Sequence, residues 1–183
     1  MTSKSPLGSS SPQSFSTSWK PKYPQGIIKE SSWTPPPPAA GRGSKAAGLR
    51  FEREIGKILL RAKPEEAAYF FQKVFSTPDG LKIPDHYLLF PTFGIVYETK
   101  LTFKPKAKSQ LLEYADILSS YYCRPFRSAL VCRNLTLAAG TAAVVQGNAL
   151  ISVFQGKKYF SGVTLIHCPY PGHLAPEWAP PEP

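Results

Sequence analysis

Three charged residues lie at spacings that can support the hydrolysis of phosphate esters. Asp85 follows Pro84 in one strand-like run, and Glu98 and Lys100 lie two residues apart in the next. Alternate side chains of a strand share a face, so Glu98 and Lys100 point the same way, and a hairpin would bring Asp85 beside them. A carboxylate and an ammonium among apolar neighbours are costly unless they pair or bind something. The pattern therefore predicts a binding site.

Two neighbouring carboxylates favour a hard divalent cation, because the cation relieves their mutual repulsion. The sequence predicts that Asp85 and Glu98 bind Mg²⁺, with Mn²⁺ as a substitute, and that the carbonyl of Thr99 completes the metal shell. Such a metal polarises a phosphate oxygen and lowers the pKa of a bound water. Lys100 would orient that water or stabilise the negative charge that grows on phosphorus.

The order and spacing of these residues match a known signature. Pro84-Asp85, then twelve residues, then Glu98-Thr99-Lys100 resembles the motif of the PD-(D/E)xK nuclease superfamily. The resemblance covers about residues 45–135. It implies a restriction-endonuclease-like α/β core, in which helices flank a central mixed sheet. It also implies a metal-dependent DNA nuclease that hydrolyses phosphodiester bonds.

Three further residues extend the resemblance. The superfamily commonly carries an acidic residue on the helix before the hairpin, and Glu52 matches it, which implies a place in the metal site. The RecB-like and lambda-exonuclease-like branch carries a Gln-x-x-x-Tyr pair on the following helix, and this sequence has Gln110 and Tyr114 there. Residues four apart share a helix face, so both side chains can reach the catalytic site or the DNA backbone.

The elements that must position these residues follow from apolar periodicity and turn signals. In the second hairpin strand, the face opposite Glu98 is expected to pack against the core. The order of elements predicts an α/β core around a mixed sheet. The predicted elements are a helix over 45–62, strands over 68–76, 82–90 and 94–103, a helix over 105–122, a strand over 126–132, a short helix over 136–146, and strands over 149–154 and 159–166.

Charge and composition indicate the partner. The chain has 183 residues and a net charge of +10, from 22 Lys and Arg against 12 Asp and Glu. This excess favours a polyanion such as DNA. Lysines without acidic neighbours at the start of a helix form a natural phosphate site, and such contacts give affinity without sequence information. The residues predicted to bind DNA are Lys104, Lys106, Lys108, Arg124 and Arg127.

Composition divides the chain into three regions. Residues 1–44 include 11 Ser, 8 Pro and 4 Gly, too few apolar groups to offset the entropy of ordering, so they are predicted to form a disordered basic tail. Residues 45–168 form the predicted nuclease domain, and residues 169–183 a Pro-rich tail. No apolar run approaches the roughly 18 residues of a membrane helix, and no secretory signal is recognised. We therefore expect no membrane partner and an intracellular location, either cytoplasm or nucleoid, or the host cytoplasm for a viral protein.

Several functions remain open at this stage. Without a recognisable specificity domain, the chain resembles an exonuclease of recombination, repair or DNA processing more than a restriction enzyme, a preference that rests on Gln110 and Tyr114. The alternatives are a structure-selective endonuclease similar to Holliday-junction resolvases and a DNA-binding or assembly protein that keeps the fold without hydrolysis. No phosphate-binding Gly loop is present, so any unwinding would need a helicase or recombination partner. A homo-oligomer is also compatible with the sequence.

Overall fold

The computed structural model describes residues 19–37, 43–104, 106–134 and 163–168. The predicted helix over 136–146, the predicted strand over 149–154 and the predicted tail over 169–183 lie outside the described residues. The described elements are β1 (Lys29–Glu30), α1 (Ser44–Ala62), β2 (Ala68–Phe71), β3 (Phe75–Thr77), β4 (Gly80–Lys82), β5 (His86–Leu89), β6 (Gly94–Thr102), α2 (Lys106–Tyr122), β7 (Phe126–Asn134) and β8 (Val163–His167).

Five strands form a mixed sheet in the order β2-β5-β6-β7-β8. The hairpin side is antiparallel, since β5 pairs with both β2 and β6 in that sense. The other side is parallel, since β7 pairs with β6 and β8. The crossover from β6 to the parallel strand β7 runs through α2, as a parallel pair requires. The predicted α/β fold with a mixed central sheet and flanking helices is confirmed.

The first helix forms where apolar residues recur at helical spacing. α1 ends at Ala62 because Lys63 takes an extended conformation ahead of Pro64, which disfavours helix at the residue before it. The Lys63 N–H still bonds the Leu59 carbonyl and closes the last turn. The buried side chains of α1 pack on one face of the sheet, and they include Phe51, Ile55, Ile58 and Leu59.

The central strand β6 is covered on both faces, which differs from the single core face expected from the sequence. Ile95 and Tyr97 pack in the cluster that contains α1. Val96 packs with α2, as does Phe103, whose alternation with Ile95 and Tyr97 predicts the opposite face. Strands with helices on both sides have two apolar faces. Glu98 and Lys100, which alternate in phase with Val96, therefore lie on the face that α2 covers.

Two predicted strands are each divided in the structure. The run over 68–76 was expected to be one strand, but it forms β2 and β3, which belong to different sheets. The chain turns between them at Gln72, whose φ of 47° is left-handed. The run over 82–90 is likewise divided, because β4 ends at Lys82 and β5 begins at His86, after Pro84. A proline has no N–H for a ladder and is rare inside strands.

Part of the segment expected to be a disordered tail belongs to the fold. β1 pairs with β3, and β3 pairs with β4, in a small antiparallel sheet. Ile28 is buried in the cluster around α2, and the backbone N–H of Tyr23 donates to Ser120 Oγ at 3.1 Å. The prediction of disorder over residues 1–44 is therefore wrong for residues 19–37. Apolar side chains within a Pro- and Ser-rich stretch anchor it to α2.

A search for membrane-spanning segments among the described residues finds no helix with the length and apolar composition to cross a bilayer.

Candidate active site

The proline-aspartate pair lies just before β5 and places a carboxylate against β6. His86, the first residue of β5, pairs with Tyr97 of β6, so the ladder stops just where Asp85 begins. Asp85 Oδ2 then accepts hydrogen bonds from the Thr99 N–H at 2.8 Å and from Thr99 Oγ1 at 2.9 Å. The Asp85 carboxylate thus accepts a backbone N–H of β6 at the point where the β5–β6 ladder ends, in place of a backbone carbonyl. A role for the Thr99 carbonyl in metal binding stays a prediction.

Glu98 is the most deeply buried charged group of the site. Its exposed fraction is 1%, and Oε1 accepts a 2.7 Å hydrogen bond from Lys100 Nζ. The other oxygen, Oε2, is buried and has no hydrogen-bond partner among the described residues. Burial raises the pKa of Glu98 to about 8, and the charge of Asp85 raises it further while Lys100 opposes the rise. The pKa of Asp85 is raised as well, mainly by burial.

Lys100 is the cation of this cluster. Burial acts to lower the pKa of Lys100, but its attraction to Glu98, Asp85 and Glu52 outweighs the burial, and the pKa is raised. Lys100 therefore stays protonated at neutral pH. Its side chain remains 30% exposed, so its ammonium is accessible to a bound substrate.

Glu52 reaches the same cluster from a different element. It belongs to α1, whose apolar residues pack on the face of the sheet opposite α2, and it is 9% exposed. Burial and the charge of Asp85 raise the pKa of Glu52 to about 7, and Lys100 opposes this rise. Glu52 Oε1 accepts a 2.6 Å hydrogen bond from Gln72 Nε2. The structure therefore brings together all three predicted carboxylates and Lys100.

The predicted Gln-Tyr pair lies on α2. Gln110 Nε2 donates to Tyr114 Oη at 2.8 Å, as expected for residues four apart. Burial raises the pKa of Tyr114 to about 12, and the charges of Glu98 and Asp85 raise it as well. Tyr114 thus adjoins the carboxylates from the α2 side and keeps its proton at neutral pH.

The five predicted DNA-binding residues do not form one continuous track. Lys104 lies between β6 and α2, Lys106 is the first residue of α2, and both are exposed; Lys108 is two residues further along α2. Arg124 and Arg127 instead lie at the start of β7, which pairs in parallel with the start of β6. The ends of the nine-residue β6 are about 26 Å apart at roughly 3.3 Å per residue. The lysines and the arginines therefore lie at opposite ends of β6, and their contacts with DNA stay a prediction.

Arg124 is also held inside the fold. Its Nη1 donates to the Phe90 carbonyl at 2.5 Å, and its Nε is 3.4 Å from the Tyr122 carbonyl. The Arg127 guanidinium lies 6.0 Å from the centre of the Phe93 ring, within the range of a cation–π contact. These contacts explain both arginines as structural residues. A DNA-binding role for them stays a prediction.

Sequence reasoning missed Gln72, which follows β2 and supports the site, whereas His86 was interpreted from the sequence as a structural or surface residue. Gln72 contacts Glu52, but an isolated glutamine carries no motif. His86 is fully buried, its Nδ1 lies 2.9 Å from Tyr69 Oη, and burial lowers its pKa to about 3. His86 is therefore neutral and packs between α1 and the sheet. Gly56 of α1 lies against both rings.

The donor chemistry suits a hard cation, although the described residues contain no ready-made cluster of three or more His, Cys, Asp and Glu groups able to hold a metal ion. Oε2 of Glu98 is a buried acceptor that no described residue hydrogen-bonds. Burial raises the pKa values of Glu98 and Glu52, the negative charge of Asp85 adds to the rise, and a divalent cation would relieve that repulsion. These oxygen ligands fit Mg²⁺ or Mn²⁺.

The fold and the site define a class of α/β protein in which acidic residues and a lysine meet at the end of a short strand in a mixed sheet. No protein-family model matches the chain, and no curated protein matches it in sequence. The solved structure described as "Structure of EndoMS-dsDNA2 complex" is similar to it, with 25% identity and a TM-score of 0.34. The match covers 57% of this chain and 41% of the EndoMS chain, so this chain spans less than half of that protein's length.

Proposed function

We propose that this protein is a metal-dependent DNA nuclease of the PD-(D/E)xK superfamily. The observation that carries the proposal is the meeting of Asp85, Glu98 and Lys100 at one place on the sheet, where Glu98, 1% exposed, has an oxygen with no hydrogen-bond partner in the described part of the chain. Burial of such charges costs stability unless they bind something. Strongly shifted pKa values at one cluster are typical of functional sites. The order of these residues along the chain also matches the superfamily signature.

The carboxylates of Asp85, Glu98 and Glu52 would hold Mg²⁺ or Mn²⁺, which when bound polarises a phosphate oxygen and lowers the pKa of a bound water. Lys100 stays protonated and is held by Glu98, so its ammonium can orient the attacking water or stabilise the charge on phosphorus. Gln110 and Tyr114 would contact the DNA backbone from α2. The hydrogen bonds from Thr99 fix the direction of the Asp85 carboxylate.

DNA is the proposed substrate because of the charge of the chain and the position of its lysines. The net charge is +10, and Lys104 and Lys106 are exposed beside the start of α2. A helix N-terminus with adjacent lysines favours phosphate. Within the nuclease class we favour an exonuclease of recombination, repair or DNA processing, because Gln110 and Tyr114 are paired and adjoin the carboxylates.

The test uses the purified full-length protein, Mg²⁺ and two DNAs, a linear duplex and a covalently closed circle. Loss of the linear DNA alone would indicate an exonuclease, whereas nicking of the circle would indicate an endonuclease and lead to junction substrates. Lys100→Ala should abolish either activity. Binding of both DNAs without cleavage of either would contradict the proposal and favour a binding or assembly protein.

A matched control excludes a contaminating nuclease and a general effect of losing an ion pair. Lys82 Nζ lies 2.7 Å from Glu113 Oε1, the same separation as the Lys100–Glu98 pair. The two lysine side chains are similarly exposed, 24% and 30%. Lys82→Ala should therefore cleave like the wild type. Equal activity in Lys100→Ala and wild type would reject the site assignment.

A further inference from the structure

A single residue contacts two of the three carboxylate-bearing residues of the candidate site. Gln72 follows β2, and its backbone N–H donates to the Asp85 carbonyl at 3.0 Å, which extends the β2–β5 ladder by one residue. Its side chain turns toward α1, where Nε2 donates to Glu52 Oε1 at 2.6 Å. Gln72 therefore joins the loop that carries Asp85 to the helix that carries Glu52.

The backbone of Gln72 is in an unfavourable conformation. Its φ is 47°, in the left-handed region that glycine and, less often, asparagine and aspartate occupy. A non-glycine residue there is strained and persists only where the surroundings hold it. The hydrogen bonds to the Asp85 carbonyl and to Glu52 provide that hold. Strain at a residue in contact with two predicted metal ligands is typical of a functional constraint.

The chemistry of the amide suits a partner of a metal ligand. Gln72 binds one oxygen of Glu52 and leaves the carboxylate its negative charge, whereas a lysine or arginine would neutralise it. One fixed oxygen sets the direction of the other. Hydrogen-bonded partners of metal ligands fix ligand orientation in this way, and their loss typically weakens metal affinity about 10- to 100-fold.

We propose that Gln72 is a positioning residue that orients the Glu52 carboxylate toward the metal site formed with Asp85. The proposal rests on the proposed function. The left-handed backbone allows one residue to hold Asp85 through its main chain and Glu52 through its side chain. A purely structural role, in which Gln72 serves only to turn the chain from β2 to β3, predicts different variant behaviour.

The test measures Mn²⁺ binding to the full-length, DNA-free protein by isothermal titration calorimetry, together with the melting temperature of the metal-free protein. Gln72→Gly removes the amide but suits a positive φ, so the melting temperature should hold or rise while Mn²⁺ affinity falls at least about 10-fold. Gln72→Glu, which sets a second carboxylate against Glu52, should also weaken the binding. Lys73→Ala is the control, because Lys73 pairs with Glu30 outside the site, and should bind Mn²⁺ normally.

A double-mutant cycle with Glu52→Gln separates positioning from a general effect. If Gln72 acts through Glu52, Gln72→Gly should cause no further loss of Mn²⁺ affinity in the Glu52→Gln background. A full additional loss there, or wild-type affinity in Gln72→Gly alone, would overturn the assignment of Gln72. Wild-type protein that binds Mn²⁺ but cuts no DNA contradicts the nuclease proposal alone. Wild-type protein that binds no Mn²⁺ contradicts both.

Discussion

At the residue level, the site is organised around charges that the fold does not neutralise. One carboxylate oxygen of Glu98 accepts a hydrogen bond from Lys100, and the other has no hydrogen-bond partner among the described residues. Asp85 is held by Thr99, and its charge adds to the repulsion on Glu98. Unpaired buried acceptors cost about 1–3 kcal/mol each. A fold that retains a buried acceptor at this cost is better explained by the binding of a ligand than by a contribution to stability.

The same charges give a pH dependence with a definite sign. The pKa of Glu98 is raised from 4.5 to about 8, and that of Glu52 from 4.5 to about 7. The folded protein therefore binds more protons than the unfolded chain in this range. The stabilisation from these two groups is complete below about pH 4.5 and is lost as the pH rises to about 8. The melting temperature of the metal-free protein in a chelator should fall between pH 5 and about 8.

Glu98→Gln provides the control for this pH dependence. The amide resembles the protonated glutamate, so the variant should lose part of the decline in melting temperature between pH 5 and 8. Its cleavage of DNA should nonetheless fall at least about 100-fold, because loss of a ligand should exceed the loss of a ligand's partner. A variant with the wild-type decline would show that Glu98 titrates at an ordinary pKa.

The residues found from sequence alone are those with fixed spacing. Asp85, Glu98 and Lys100 follow a motif whose reason is local, since a proline precedes one strand and alternation on the next strand sets the face that Glu98 and Lys100 share. Gln72 could not be found in this way. Its contact with Glu52 depends on a backbone turn and on how α1 approaches the sheet, and neither property belongs to a short stretch of sequence.

At the element level, the position of Glu52 depends on how closely α1 approaches the sheet. Gly56 lies one turn after Glu52, and a Cβ there would come within 2.5 Å of Tyr69 Oη and 3.0 Å of His86 Cε1. Gly56→Ala should therefore push α1 outward and destabilise the protein by about 1–3 kcal/mol, as overpacking does. Urea unfolding measures this loss, and Mn²⁺ affinity should weaken with it because Glu52 moves with the helix.

Gly48 provides a matched control on the same helix. A Cβ at Gly48 would meet Leu101 Cδ1 at 4.0 Å, an ordinary contact. Gly48→Ala should be neutral or stabilise the helix by up to about 1 kcal/mol, since alanine is the better helix former. If both alanine variants unfold alike, close packing at Gly56 does not position α1.

The segment that leads to β1 can be tested with neighbouring isoleucines. Ile28 is 5% exposed in the cluster around α2, whereas Ile27 is 44% exposed. Ile28→Ala should cost about 2 kcal/mol or more of unfolding free energy, and Ile27→Ala should change it by no more than about 0.5 kcal/mol. Urea unfolding of the two variants compares them directly. Equal, small effects would show that residues 19–37 contribute nothing to stability.

This segment shows where composition alone misleads. Pro and Ser dominate residues 1–44, so the average hydropathy predicts disorder, yet one buried isoleucine and a short strand pair suffice to dock residues 19–37. The long helices were predicted within one residue because their periodicity is local. The ends of the divided strands were not predicted, because strand ends depend on hydrogen-bonded neighbouring strands that are distant in sequence. The burial of the second face of β6 likewise depends on the packing of α2 against it, which the sequence of β6 alone does not indicate.

At the scale of the whole molecule, the positive charge is distributed over both ends of the sheet. Lys104 and Lys106 lie where β6 leads into α2, and Arg124 and Arg127 lie near the other end of β6. The distance between these ends, about 26 Å, exceeds the Debye length of about 10 Å in 0.1 M salt. A phosphate bound at the lysine end should therefore be screened from the charges of the arginines. Because Glu98 and Lys100 occupy the half of β6 near α2, the lysine end is the one beside the proposed chemistry.

The salt dependence of DNA binding should distinguish the two ends. Removal of one lysine–phosphate interaction reduces the slope of log affinity against log salt by about 0.9 for duplex DNA. Lys104→Ala with Lys106→Ala should therefore weaken duplex binding and reduce the slope by about 2. Arg124→Ala with Arg127→Ala should lower the melting temperature, because it removes the interactions with the Phe90 carbonyl and the Phe93 ring, and should leave the slope unchanged. Equal slope changes in both double variants would mean that the DNA extends along the whole of β6 and that the arginines bind it as well.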